Sequence, residues 1–370
     1  MKVAHFSISR ALSWASYSRA SSFKMRALKK VSPPILPTPT PPRILLVKTS
    51  SLGDVIHNLP VVSDIVRHFP EAQIDWLVEE SFAALPLLHP NVREVIPVAV
   101  RRWRRTLLHA STWREIRAFR RTLAGRRYDR VIDTQGLLKS ALLVTNARGV
   151  RCGFDRDSAR EPLAAYFYQQ RFSVASAQHA VERNRQLAAL ALGYELSGPA
   201  CYGIQTPQTP RPDWLAEDAY VVLLHATSRD DKLWDEAKWV ALGQHFRQQH
   251  IRSILPWGSA TEKSRSERLS AQIPDAICPP KLSLNEVAAL LGNAHAIIGV
   301  DTGIAHLAAA LNKPTIGIYT ATEPALTGLY AGARAINLGG KYNSPTVAEV
   351  VGSLANVGVR LKPGYSGATT

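Results

Sequence analysis

From Arg43 onward, short apolar and β-branched runs alternate with longer stretches whose apolar positions recur at helical spacing. The runs RILLVK (43–48), QIDWLVE (73–79), VREVIPV (92–98) and YDRVIDTQ (128–135) predict strands, with helices between them, for example over 55–68 and 111–125. A second series starts at YVVLLHAT (220–227) and continues through SILPWG (253–258), AIIGVD (296–301) and TIGIYT (315–320). Strands that are apolar throughout and separated by helices belong to parallel sheets covered on both faces. Two such series predict an α/β protein of two doubly wound domains. Proline and threonine cluster in QTPQTPRPD (205–213), the expected linker. The predicted order is an extension (1–42), a first domain (43–204), the linker, a second domain (214–342), a C-terminal helix (343–362) packing back on the first domain, and a tail (363–370).

The extension holds seven Lys/Arg and no acid, and ends in the proline-rich VSPPILPTPTPP. That composition reads as a disordered basic arm with a stiff spacer. It superficially suits a transit peptide, but the reading adopted is a non-native or floppy extension with no role in catalysis.

Statistics over the full 370 residues narrow the function classes. Hydrophobic content of 46% fits an ordinary globular protein. No apolar run reaches the ~18 residues a membrane helix needs; the nearest, 287–300, contains Asn293 and His295. The net charge of +16 is unevenly spread, with eleven Arg against only Glu115 and Asp129 in 101–130. Such a surface suits a polyanion: nucleic acid, an anionic membrane or a phosphorylated substrate. Cys152, Cys201 and Cys278 are sparse and odd in number, which favours a reducing compartment without a disulfide framework. The eleven histidines show no zinc-ligand spacing, so no metal site is expected.

Candidate chemistry lies at the strand ends, where open α/β sheets bind their ligands. KTSSLGDVIHNLP (48–60) follows the first strand, and within it Asp54 suits either a helix N-cap or a general base at a cleft floor. Lys48, Thr49, Ser50 and Ser51 would supply donors to an anion; the stretch is not a P-loop. HATSRDDKLW (225–234) offers the hydroxyls of Thr227 and Ser228 and the cations Arg229 and Lys232, a set that suits a diphosphate, although a solvated loop has the same composition. In GVDTGIAHLAAAL (299–311) a strand ends at Asp301, Thr302 and Gly303 make a turn, and a helix begins whose N-terminus favours phosphate. His306 in its first turns reads, on its own, as a packing histidine. Glu262, after PWGSAT, is placed to hold ribose hydroxyls.

These four stretches, in this order and spacing, resemble the bacterial lipopolysaccharide heptosyltransferases, and the first-step enzymes most closely, from about Arg43 to about residue 360. The resemblance implies a GT-B fold of two Rossmann-like domains facing a central cleft, and an inverting transfer without metal or other cofactor. It implies ADP-L-glycero-β-D-manno-heptose as donor, a Kdo residue of Kdo2-lipid A as acceptor, and a peripheral site on the cytoplasmic face of the inner membrane. By position it makes Asp54 the catalytic base and Lys232 the stabiliser of the departing diphosphate. Thr227, Ser228, Lys232, Glu262, Asp301, Thr302, Gly303 and His306 fall on donor-binding positions. Arg160 falls on an acceptor-side position, and Arg101, Arg102 and Arg104 lie in a basic loop of similar role. The alternatives are a second-step heptosyltransferase, another nucleotide-sugar transferase of the same fold, or a basic nucleic-acid-binding protein supported by the charge and by RRWRR (101–105). The last would not require Asp54, Lys232 and Asp301 at strand ends, and no nucleic-acid partner is expected.

Overall fold

A computed structural model describes residues 41–361; the extension up to residue 40 and the tail from residue 362 lie outside the described residues. The first sheet contains β1 (Arg43–Val47), β2 (Gln73–Glu79), β3 (Val92–Val98), β4 (Arg127–Asp133), β5 (Arg148–Phe154) and β6 (Gln170–Phe172), all parallel, in the order β3-β2-β1-β4-β5-β6. The second contains β7 (Tyr220–Leu224), β8 (Arg252–Ile254), β9 (Ala296–Val300), β10 (Thr315–Tyr319) and β11 (Ala335–Gly339), also parallel, in the order β11-β10-β9-β7-β8. In both sheets the order reverses beside the first strand, which opens a crevice at its carboxyl end.

Helices cover both faces. They are α1 (Leu52–Ile56), α2 (Leu59–His68), α3 (Val100–Trp103), α4 (Ala110–Ala124), α5 (Leu138–Val144), α6 (Ala180–Leu192), α7 (Glu236–Gln248), α8 (Ala260–Ser270), α9 (Leu284–Asn293), α10 (Gly303–Ala310) and α11 (Val347–Ser353). The central strands are buried along nearly their whole length, as their unbroken apolar runs require. One face of the first sheet packs Leu45, Leu77 and Val131 against Trp103, Phe119, Leu123 and Val144 of α3, α4 and α5. The other face carries α2 and α6, where the fully buried Asp64 takes a 2.7 Å bond from Arg185 Nε. Its apolar cluster runs on without a break into residues of the second sheet.

Four expectations need correcting. The helix expected over 55–68 is two helices, α1 and α2, separated at His57–Asn58 with Pro60 in the first turn of α2, where its missing N–H costs nothing. The strand expected over 253–258 is only Arg252–Ile254, because Pro256 cannot donate to a ladder. Strands β5, β6 and β11 were not foreseen: they lie at or next to sheet edges and are only partly buried, so they carry no continuous apolar run. Finally, the C-terminal helix does not pack back on the first half. Val350 of α11, with Leu354 and Val357, joins Trp234, Trp239 and Leu242 in the core of the second sheet, because that is where its apolar face finds an apolar partner.

Candidate active site

The loop after β1 is ordered from behind. Gln135, beyond β4, accepts from the main-chain N–H groups of Thr49 and Ser50 (2.9 and 3.2 Å) and donates to the Ser50 carbonyl (2.6 Å). Lys48 is buried, with Nζ donating to the Thr134 carbonyl at 2.6 Å and to Asn184 Oδ1 at 3.2 Å. Burial pushes its pKa down to about 8, opposed by the nearby Asp54 and Asp133 carboxylates. Ser51, not Asp54, is the N-cap of α1. Asp54 stands at the third helical position, its carboxylate accepting from the Ser51 N–H (2.8 Å) and hydroxyl (3.0 Å). Its side chain is 26% exposed and 3.8 Å from Arg160 Nη1, so it sits on the cleft wall rather than on a buried floor.

Around Asp54 lies a cavity of about 270 Å³ lined by Lys48, Gln135, Arg160, Arg183, Asn184 and Thr327. Three cations converging beside one carboxylate suit an acidic ligand with a hydroxyl held near Asp54. Arg183 and Asn184, on α6, carried no local signal in the sequence; only the packing of α6 against the sheet brings them here. Lys139 on α5 was missed for the same reason. It donates to Ser50 Oγ at 2.8 Å, and burial, followed by the charge of Arg101, lowers its pKa.

The three arginines expected to act together do not have one environment. Arg101 lies over the Phe82 ring at 5.1 Å, and Arg104 is exposed. Arg102 is paired with Glu80 at 3.0 Å and Glu115 at 2.8 Å.

On the other wall Lys232 ends a single 3-10 turn and donates from Nζ to Asp301 Oδ2 at 2.7 Å. Thr322 Oγ1 donates to the same oxygen at 2.8 Å, and Thr227 Oγ1 to the Asp301 carbonyl at 2.9 Å. Thr302 is the N-cap of α10 and Gly303 its first residue. Ser228 is exposed, and Arg229 is paired with Asp231. Glu262 closes a capping box at the start of α8, accepting from the Gly258 N–H at 2.7 Å and the Ser259 N–H at 3.2 Å. It borders a mostly apolar pocket of about 290 Å³ formed with Leu52, Trp257, Leu284, Val287 and Ile304. That slot suits a flat ring, with Glu262 beside it for a polyol. A larger cavity of about 560 Å³ runs along the connecting segment from Thr206 to Leu215 and contains none of the residues singled out from the sequence.

The two walls meet where α1 touches α10. A Cβ on Gly303 would lie 2.5 Å from Leu52 Cδ2 and 2.9 Å from Leu52 Cβ, so this close approach requires glycine. Beside it His57 Nε2 and His306 Nδ1 are 3.1 Å apart. The His179 ring is 5.2 Å from that of His57 and stacks on Tyr330, while Nε2 donates to the Gly328 carbonyl at 3.1 Å. Burial depresses all three: His57 well below the usual imidazole value, His306 to about 4, where Asp301 opposes the shift, and His179 below its ordinary value, where the Gly328 carbonyl opposes the shift. The folded chain therefore holds them neutral, while the unfolded chain protonates them near ~6.5. Stability from this cluster is complete above ~6.5 and falls as the pH drops towards about 4. Denaturant midpoints at pH 7 and pH 5 should separate more for the native chain than for His57→Phe. An identical pH dependence in the two would disprove a role for this cluster.

Among the described residues no group of three or more His, Cys, Asp or Glu is gathered as metal ligands.

Residues 116–351 match the family model described as glycosyltransferase family 9 (heptosyltransferase). The chain is 47% identical over 302 residues to lipopolysaccharide heptosyltransferase 1 of Pseudomonas aeruginosa, covering 81% of this chain and 84% of that one. It is 46% identical over 291 residues to the enzyme of the same name from Escherichia coli K12, covering 78% and 91%. Among solved structures, the E. coli heptosyltransferase WaaC with ADP superimposes with a TM-score of 0.78 at 42% identity, over 85% of this chain and 99% of that one. The chain therefore belongs to glycosyltransferase family 9, the heptosyltransferases, and is a glycosyltransferase of GT-B fold.

Proposed function

We propose that this enzyme transfers L-glycero-D-manno-heptose from ADP-heptose to a Kdo residue of Kdo2-lipid A, with inversion, in assembly of the lipopolysaccharide inner core. The observation that carries the reading is the facing of two chemically different walls across the α1–α10 contact: Asp54 among cations on one, and Lys232 with the α10 N-terminus and the apolar slot on the other. Relatives named lipopolysaccharide heptosyltransferase 1, and the WaaC structure with ADP-2-deoxy-2-fluoro heptose, support the donor. The carboxylates of Kdo match the cavity of Lys48, Arg160 and Arg183.

In this reading the adenine enters the slot beside Trp257 and Leu284, and Glu262 holds the ribose. The acceptor hydroxyl gives its proton to Asp54 as its oxygen bonds to the anomeric carbon. The bond from that carbon to the β-phosphate oxygen breaks on the opposite face, and ADP leaves with the electron pair. Lys232, now shared between Asp301 and the diphosphate, and the first N–H groups of α10 meet the added negative charge. These groups supply the stabilisation, so no metal ion is needed. In this reading the enzyme works at the cytoplasmic face of the inner membrane, where a soluble nucleotide-sugar donor meets a lipid-borne acceptor; no helix among the described residues is long and apolar enough to cross a membrane.

The test is ADP release by the full chain given ADP-heptose and heptose-free Kdo2-lipid A, with and without EDTA. Acceptor-dependent release unchanged by EDTA is the expected result. Release only with an acceptor that already carries one heptose would instead establish a second-step enzyme. No acceptor-dependent release from folded protein would overturn the reading.

A further inference from the structure

Among the described residues, ten large apolar side chains are more than a third exposed, and they are not scattered evenly. Six of them, Leu107, Leu108, Trp113, Leu142, Leu163 and Tyr166, belong to the α3–α4 connection, α4, α5 and the 3-10 turn Pro162–Phe167. The inner sides of these elements pack on one face of the first sheet through Trp103, Phe119, Val144 and Ala164. Their outer sides therefore look the same way. Isolated exposed apolar residues are ordinary, but a group of this size on one side of a molecule marks a docking surface.

The most exposed of them is not loosely held. Leu108 is 99% exposed, yet its loop is pinned on both sides. Trp113 Nε1 donates to the Leu107 carbonyl at 2.8 Å, Thr106 Oγ1 to the Arg102 carbonyl at 3.0 Å, and Thr112 Oγ1 to Thr106 Oγ1 at 2.8 Å. These bonds hold the backbone on either side of Leu108.

Charge identifies what covers this face. Arg101, Arg104, Arg105, Arg114 and Arg117 are exposed there, and none of them makes an ion pair among the described residues. Glu115, the one acid between residues 100 and 126, is already spent on Arg102 and the Trp103 indole. Residues 1–42 contain no acid that could neutralise the others. Leucine and tryptophan tips set among unpaired arginines match a lipid surface bearing anionic headgroups: the apolar tips enter the acyl boundary, and the guanidinium groups stay at the phosphates. The edge of this face also adjoins the acceptor cavity, through Lys139 of α5 and through Arg160, 3.8 Å from Asp54.

We propose that the face built by α3, α4, α5 and the Pro162–Phe167 turn docks on an anionic membrane surface, with Leu108 and Leu163 inserted, and so presents a lipid-borne sugar to Asp54. The proposal rests on the reading of the acceptor as a sugar carried on lipid. It goes further in assigning the docking face and separating it from the reacting groups.

The experiment is flotation of the full chain with phosphatidylcholine vesicles and with vesicles containing about 30% phosphatidylglycerol. A double variant, Leu108→Glu with Leu163→Glu, is run alongside, and both proteins are assayed for turnover on a soluble, fully deacylated Kdo acceptor. The native chain is expected to float only with the anionic vesicles, and the double variant to bind them about tenfold more weakly or less. Its turnover on the soluble acceptor should equal that of the native chain, which excludes misfolding. Native protein that ignores anionic vesicles, or a folded variant that binds them as well as the native chain, overturns the docking face. Binding to single-stranded RNA without vesicle binding overturns it in favour of a nucleic-acid surface. Vesicle binding that depends on Leu108 and Leu163, with no turnover on any Kdo acceptor, keeps the docking face and removes the proposed acceptor instead.

Discussion

Asp54→Asn should reduce turnover by about 10²–10⁴-fold while leaving ADP affinity nearly unchanged, because a positioned general base is worth that much to proton transfer. The substitution is chosen from the geometry. An asparagine oxygen can still accept the Ser51 N–H and hydroxyl bonds that Asp54 receives at 2.8 and 3.0 Å, so the start of α1 survives. What disappears is the capacity to take a proton, together with the charge facing Arg160. Alanine would blur the two roles by also removing the capping interaction, at a cost of about 1 kcal/mol. Steady-state rates and ADP titrations on the folded Asn variant decide the matter. If its turnover stays within a few-fold of the native chain, Asp54 is a capping residue and the base must be sought elsewhere.

Lys232→Met should be nearly as damaging, about 10²–10³-fold in kcat, the usual loss when one donor aimed at developing charge is removed. The variant also strands Asp301, which keeps only the Thr322 hydroxyl on Oδ2. A fold defect would therefore mimic a catalytic one. Combining Lys232→Met with Asp301→Asn separates the two: the double variant should recover thermal stability but not turnover. Arginine at 232 should rescue poorly, since a planar fork does not replace a point charge donating at 2.7 Å. Recovery of turnover in the double variant would show that Lys232 acts only by neutralising Asp301.

The site as a whole was unevenly legible. Asp301, Thr302 and Gly303 directly follow an apolar strand, and Asp54 and Lys232 lie in the short helical turns that follow two others; parallel sheets bring such ends to one side of the molecule. The basic segment was legible as charge but not in its pairing, because a sequence does not reveal that Glu80 and Glu115 hold Arg102 while Arg104 stays exposed. Lys139, Arg183 and Asn184 sit in helices with no distinguishing neighbours, and nothing local marks them.

By itself the sequence determined the two parallel sheets, since these follow from unbroken apolar runs separated by helical stretches. The tertiary structure alone decided that His57 meets His306, that Lys48, Arg160 and Arg183 line one cavity with Asp54, that α11 stays with the second sheet and that Leu108 is exposed to solvent. Each of these depends on which surfaces pack together across long stretches of chain. Periodicity records that a face is apolar, but it does not record which partner covers that face or whether any partner does.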